Sequence, residues 1–181
     1  MFDEADQGSA ANREMLADLA KKYDPDRMDV VIGRIPNQVE TALEQPMQSR
    51  PEGPFERVIL VGMGGSALAM DVVIDGFADQ LKTVPCVARS YVIPGPVDER
   101  TLIIASSFSG GTEEVLYAVE RLPKGAANIV VITREGKSDL STMACEKGYP
   151  VITIPVSQEP HGFQPRSAVG YTVTFIARLL A

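Results

Sequence analysis

Two short segments carry residue types whose spacing suits the holding of a small anion. The first, Gly62-Met63-Gly64-Gly65-Ser66-Ala67, follows an apolar run and precedes a helical pattern. Its glycines let the backbone turn tightly and approach a ligand closely, and a helix start presents unpaired N–H groups. A tight turn with no ligand fits that segment equally well, so this motif alone is weak. The second, Ser106-Ser107-Phe108-Ser109-Gly110-Gly111-Thr112-Glu113-Glu114, sets hydroxyls at Ser107, Ser109 and Thr112 among small residues at another helix start. Hydroxyls so spaced can wrap a phosphate while the backbone and the helix end supply the rest. Thr112 as a plain helix cap, with the serines in a turn, is the competing account. Two glycines and three hydroxyls in six residues favour the anion.

Other chemistry is weaker. Gly62, Gly64 and Ala67 satisfy a dinucleotide-binding spacing, but the second strand candidate, Cys86 to Val92, lacks the carboxylate that would hold a ribose. Arg89 there leaves a 2′-phosphate disfavoured rather than excluded. Gly136-Lys137-Ser138 resembles the end of a nucleotide P-loop, but Val131 stands where the earlier glycine is required. Glu135 has only its strand-end position to recommend it. Arg166 follows Pro165 in the first turn of the last helix, where a cation opposes the helix dipole, so its placement suggests another purpose. His161, the single histidine, could act as a general acid or base, but its Pro- and Gly-rich loop favours reading it as solvated.

The elements that must position these residues follow from pattern. Short β-branched runs alternate with helical stretches from Arg57 onward, which argues for a parallel α/β sheet. Strands are expected at Arg57 to Val61, Cys86 to Val92, Leu102 to Ser106, Ile129 to Thr133 and Val151 to Ile154. Several are apolar throughout, as strands covered by helices on both faces are. Helices are expected at Ser66 to Leu81, Thr112 to Leu122, Ser138 to Lys147 and from Arg166 onward. A sheet of order 2-1-3-4-5 sets strands 1 and 3 side by side, so that both glycine-rich loops open into one crevice beyond their carboxyl ends. The predicted fold is a three-layer, doubly wound, five-stranded parallel sheet with N-terminal helices. The boundaries are 1–54 for a helical extension and linker, and 55–181 for the α/β domain.

Ahead of the sheet, residues 1–8 read as a frayed end. Ala10 to Lys22 reads as a helix whose Met15, Leu16 and Leu19 form an apolar stripe. A second helix is expected from Pro25 to about Gln45, with Asp24 as N-cap and a break near Arg34 forced by Pro36. Pro46 to Pro54 reads as a linker.

Composition bounds the partners. The 181 residues make one domain, and 45% apolar with 23% charged residues is ordinary for a globular protein. With 17 Lys and Arg against 24 Asp and Glu, the net charge of −7 is opposite to the footprint of a nucleic-acid binder. A bound phosphate must then be held by N–H groups, hydroxyls and one or two placed cations. No signal peptide or membrane span is read, so a cytoplasmic location without membrane attachment is expected. Cys86 and Cys145 show no metal-site or disulfide spacing and read as packing residues; no metal is expected.

Together, Gly62 to Ser66, Ser107 to Glu114, Ile132-Thr133 and Gln164 to Tyr171 resemble the first sugar isomerase (SIS) domain of the bifunctional phosphoglucose/phosphomannose isomerase family. The resemblance runs from about residue 25 onward. It implies interconversion of glucose 6-phosphate or mannose 6-phosphate with fructose 6-phosphate through an enediolate, without metal or other cofactor. It also implies that Ser66, Ser107, Ser109 and Thr112 hold the phosphate, that Gly64 and Gly65 lie against the sugar, and that Arg166 stabilises the enediolate. A guanidinium suits that role because it stays protonated and can span two oxygens. Gly111 departs from the family's usual asparagine, and Arg134-Glu135-Gly136 from a more glycine-rich turn. The glutamate base and ring-opening histidine of the family's second SIS domain have no counterpart motif in these 181 residues. Three readings follow: the N-terminal half of a longer isomerase, a sugar-phosphate-binding regulatory module, or a short isomerase completed across an oligomer. The end of the chain, in a helix that would lead into a second domain, fits the first. Association with a second copy or a second SIS domain is expected to cover an apolar face.

Overall fold

In the computed structural model, residues 10–47, 51, 53–122 and 128–181 are described. The expectation for residues 1–8 and part of the Pro46 to Pro54 linker lie outside them. The apolar runs form five strands, β1 (Arg57–Gly62), β2 (Cys86–Ala88), β3 (Thr101–Ser106), β4 (Asn128–Arg134) and β5 (Val151–Ile154). All pair in parallel, in the order β2-β1-β3-β4-β5. The predicted α/β class and strand order are those observed.

Alternation along the strands divides the core in two. Val58 and Leu60 of β1, Leu102 and Ile104 of β3 and Val130 and Ile132 of β4 meet Ala42, Met70, Val73, Tyr171 and Phe175 on one face. These come from α3 (Ile35–Glu44), α4 (Gly64–Gly76) and α7 (Val169–Leu180). Ile59 and Val61, Ile103 and Ala105, and Ile129 and Val131 point to the other face, against Val115, Val119, Leu140 and Ala144. Those belong to α5 (Glu113–Glu120) and α6 (Asp139–Lys147). Thus α4 leaves β1 toward one face and α5 leaves β3 toward the other, which opens a crevice between the two strand ends.

The helix expected from Pro25 breaks at Arg34, as Pro36 required, into α2 (Met28–Gly33) and α3, with Pro36 at the start of α3. Asp24 does cap, its carboxylate accepting from the N–H groups of Met28 (2.7 Å) and Asp29 (2.9 Å), but Pro25 and Asp26 form a turn before the helix begins. Helix α1 (Ala10–Tyr23) forms as expected, yet Met15, Leu16 and Leu19 are 55%, 60% and 43% exposed, so the stripe covers no core.

Other differences have local causes. Strand β2 ends at Ala88, four residues early, because Arg89 turns to an ion pair with Asp71 and Ser90 closes a turn onto Val92. Helix α4 begins two residues before Ser66 and stops at Gly76. The last helix is preceded by a 3-10 turn, Pro165–Ala168, so Arg166 lies in that turn rather than in the first turn of α7. Both cysteines are exposed, which corrects their reading as packing residues. Cys86 sits on a three-residue edge strand, and Cys145 follows the buried Ala144 onto the outer side of α6.

No helix among the described residues is long and apolar enough to cross a membrane.

Candidate functional site

The crevice begins at a single rung of the sheet. Gly62, the last residue of β1, is the register partner of Ser106, the last residue of β3. A Cβ on Gly62 would stand 3.1 Å from the Ser106 carbonyl oxygen, so glycine permits the loops to leave the sheet side by side. The first loop then turns through Gly64, whose φ of +51° is costly for other residues, and enters α4 without a side-chain cap. The Ser66 N–H donates to the Met63 carbonyl (3.1 Å), and those of Gly64 and Gly65 are left to solvent or a ligand.

The second loop folds its hydroxyls onto one another. Ser107 Oγ is 2.7 Å from Thr112 Oγ1 and 3.4 Å from Ser109 Oγ. The N–H of Gly110 donates to Ser107 Oγ (3.1 Å) and that of Gly111 to Ser109 Oγ (3.3 Å). Ser107 is buried, Thr112 half-buried and Ser109 exposed, so the cluster runs from the sheet end to the surface. Thr112 occupies the N-cap position of α5 but makes no side-chain capping bond. Its hydroxyl is turned to Ser107 instead, contrary to the plain-cap account.

The base of this loop is fixed to α6. Gly110 has φ +68° and is so close to Ser138 that a Cβ would overlap that side chain, while its carbonyl accepts from the N–H of Leu140 (2.8 Å). Ser138 caps α6 reciprocally with Ser141. Thr133 Oγ1 is buried here without a hydrogen-bond partner, 3.0 Å from the point a Gly110 Cβ would occupy.

A third segment closes the wall. Gly65 faces the 3-10 turn, where a Cβ would lie 3.6 Å from Arg166 Cα. Arg166 itself is exposed, and its guanidinium pairs with no described residue. Phe108 of the second loop packs on Phe163, with ring centroids 5.9 Å apart. Glu135 accepts from both the N–H and the hydroxyl of Ser157, tying β4 to the start of this segment; it is engaged in structure. His161 and Lys137 are exposed.

The structure thus gathers Ser107, Ser109 and Thr112 into one cluster and sets Gly65 against Arg166. Ser66, half-buried in the first turn of α4, shares the crevice with them through the Gly62 and Ser106 rung. Arg166 makes no described contact with the hydroxyl cluster. Gln38 and Glu159 went unread in the sequence, and Thr133 was read only within the Ile132-Thr133 strand end. A glutamine at helical spacing between Ile35 and the buried Ala42 was the available signal for the first. No group of three or more His, Cys, Asp or Glu able to hold a metal occurs among the described residues.

Three-layer order and loop placement define the class: this is a doubly wound α/β domain with the fold of solved phosphosugar isomerases. A putative phosphosugar isomerase from Silicibacter pomeroyi shares the fold with a TM-score of 0.61 at 19% identity, over 86% of this chain and 49% of that one. By sequence the chain is a relative of the bifunctional phosphoglucose/phosphomannose isomerases. It is 42% identical to the protein of that name from Caldicellulosiruptor bescii over 118 residues, 65% of this chain and 33% of the relative. It is also 34% identical over 129 residues to the D-glucosamine-6-phosphate 4-epimerase of Sulfolobus acidocaldarius, 69% of this chain and 37% of the relative. The chain spans about a third of the length of the curated relatives it matches. No protein-family model matches it.

Proposed function

We propose that this chain binds a hexose 6-phosphate and forms the N-terminal half of an aldose–ketose isomerase site, converting glucose 6-phosphate or mannose 6-phosphate to fructose 6-phosphate. The observation that carries the reading is the Ser107, Ser109 and Thr112 hydroxyl cluster at the switch point of the sheet. The names of its relatives support sugar-phosphate isomerisation as the class.

The roles follow from chemistry. Hydroxyls of Ser66, Ser107, Ser109 and Thr112, with N–H groups at the start of α4 and α5, hold the dianionic phosphate without a basic surface. Gly64 and Gly65 admit the sugar against the backbone. Moving the C2 proton of the open-chain aldose to C1 builds negative charge on O1 and O2, and Arg166 stabilises that enediolate from the rim. The base that moves the proton and the acid that opens the ring come from a second SIS domain or a second copy. Glu135 is committed to Ser157 and does not supply the base. No cofactor enters this scheme.

A second reading, a sugar-phosphate-binding regulatory module, is favoured by that same engagement of Glu135 and by the exposure of His161. The 34% identical relative named an epimerase widens the sugars to be tried. Calorimetric titration with glucose, mannose, fructose and glucosamine 6-phosphates tests both readings. Binding with turnover supports the isomerase, and binding without turnover, alone or with a supplied second domain, supports the module. No heat with any of them sinks both. Arg166→Ala is expected to keep phosphate binding within about twofold and to abolish turnover; an equal loss of binding would reassign the arginine to the phosphate.

A further inference from the structure

Gln38 is fully buried in α3, between Ile35 and Ala42, on the face that packs against α7. A leucine would satisfy that packing without an amide to desolvate, and burying an amide is unfavourable unless its groups are bonded. Here they are. Its Nε2 donates to the carbonyl of Ser167 (2.9 Å), and its Oε1 accepts from the N–H of Gly170 (3.1 Å). The two bonds bridge the junction between the 3-10 turn that carries Arg166 and the start of α7. Gly170 is matched to this contact, since a Cβ there would lie 2.8 Å from Gln38 Oε1 and 2.9 Å from the Ile35 carbonyl oxygen.

At the N-cap of the same helix, Arg34 holds the other end of the segment. Its Nε donates to Glu159 (3.2 Å), whose side chain is fully buried and also accepts from the Tyr171 hydroxyl (2.6 Å), and its guanidinium donates to the Gln158 carbonyl (3.2 Å). The stretch from Gln158 to Gly170 is thus pinned at both ends by α3 and its N-cap, with Arg166 exposed between the pins and its Cα against Gly65.

We infer that Gln38 is a positioning residue for Arg166: its two backbone hydrogen bonds set the 3-10 turn so that the guanidinium projects over the crevice. The inference rests on the sugar-phosphate reading of the site. It separates two tasks, because the hydroxyl cradle is fastened to β3 and α6 and makes no use of Gln38.

The test compares two ligands on the full chain by calorimetry: glucose 6-phosphate, and a five-carbon sugar-phosphate hydroxamate whose planar anionic head mimics the enediolate. Gln38→Met keeps size and removes both hydrogen bonds. It is expected to hold glucose 6-phosphate affinity within about twofold and to weaken the hydroxamate about tenfold or more. Added to Arg166→Ala, it should change hydroxamate affinity by less than about twofold. Equal loss for both ligands, no loss for either, or the same loss with Arg166 absent would overturn the inference. If Gln38→Met does not fold, Gln38→Glu, which keeps the acceptor and loses the donor, is read by the same comparison. A wild-type chain that binds neither ligand fails the sugar-phosphate reading and the inference with it. A wild type that binds both, with a Gln38 variant indistinguishable from it, fails the inference alone.

Discussion

Ser107 and Thr112 place their hydroxyl oxygens 2.7 Å apart across the loop between β3 and α5. Each is thereby kept from a competing role: Thr112 from capping α5, and Ser107 from bonding elsewhere in its buried position. On the proposed function, the pair forms the inner wall of the anion site and Ser109 its outer member. Removing an inner member should therefore affect folding and binding, and removing the outer member binding alone.

Ser109→Ala is expected to weaken hexose 6-phosphate binding about tenfold with an unchanged melting temperature. Ser107→Ala should weaken binding similarly and also cost about 1 kcal/mol of stability, because the Thr112 hydroxyl loses its partner and the Gly110 N–H keeps only the Ser107 carbonyl. Calorimetry paired with thermal denaturation separates the two. Equal stability losses would place Ser109 in the fold rather than the site.

Gly110→Ala is expected to be the most damaging single-methyl change in the cradle. Its φ of +68° and its overlap with Ser138 act together, and a cost of about 2 kcal/mol or more follows. Denaturant unfolding measures it. Gly111→Ala, in open space with no positive φ, serves as the control and should be nearly silent.

Tyr171 links the folded state to alkaline pH. Burial, and next its hydrogen bond to Glu159, push its phenol above the ordinary value of 10. The folded state then favours the protonated phenol over the unfolded state, so this contribution to stability is full below about pH 10 and is lost as pH rises beyond it. Tyr171→Phe is expected to lower stability near neutrality by about 1 kcal/mol and to flatten the alkaline fall. Unfolding midpoints across pH 8 to 11 read both effects, and an unchanged alkaline slope in the variant would exclude Tyr171 as the cause.

Cys86 and Cys145 are both exposed, so both should react with a small thiol reagent in the native protein. Mass spectrometry after brief labelling without denaturant is expected to find two modified thiols. Protection of either would mark a surface that a second copy covers.

The sheet was legible because its signals are local and redundant. Runs such as Val58 to Val61 and Leu102 to Ala105 lie in fully buried strands, and their order followed from one topological rule. The loops were legible because glycine and hydroxyl content at a strand end has few uses. Edge and terminal features were not. Strand β2 has one partner, so β-branched content carried the prediction past Ala88 into residues that the Arg89 and Asp71 ion pair turns aside. Met15, Leu16 and Leu19 made a helical stripe, but periodicity does not say whether a stripe has anything to cover. Gln38 was passed over because a polar residue on a helix reads as solvated until its neighbours in space are known. Its partners lie 129 and 132 residues away in the chain.

Two different supports meet at the crevice. The hydroxyl loop is fastened to the end of β3 and to α6 on one face of the sheet, while the Arg166 segment hangs from α3 on the other. On the proposed function, grip and reactivity are therefore mounted largely on separate frames, which meet at the Gly62 and Ser106 rung, where Gly65 faces Arg166 and where Phe108 packs on Phe163. If the sugar-phosphate reading holds, substitutions along α3 retune how the sugar end is met while the phosphate stays held, which makes that helix the natural place to look for divergence in chemistry among chains that keep the same loop.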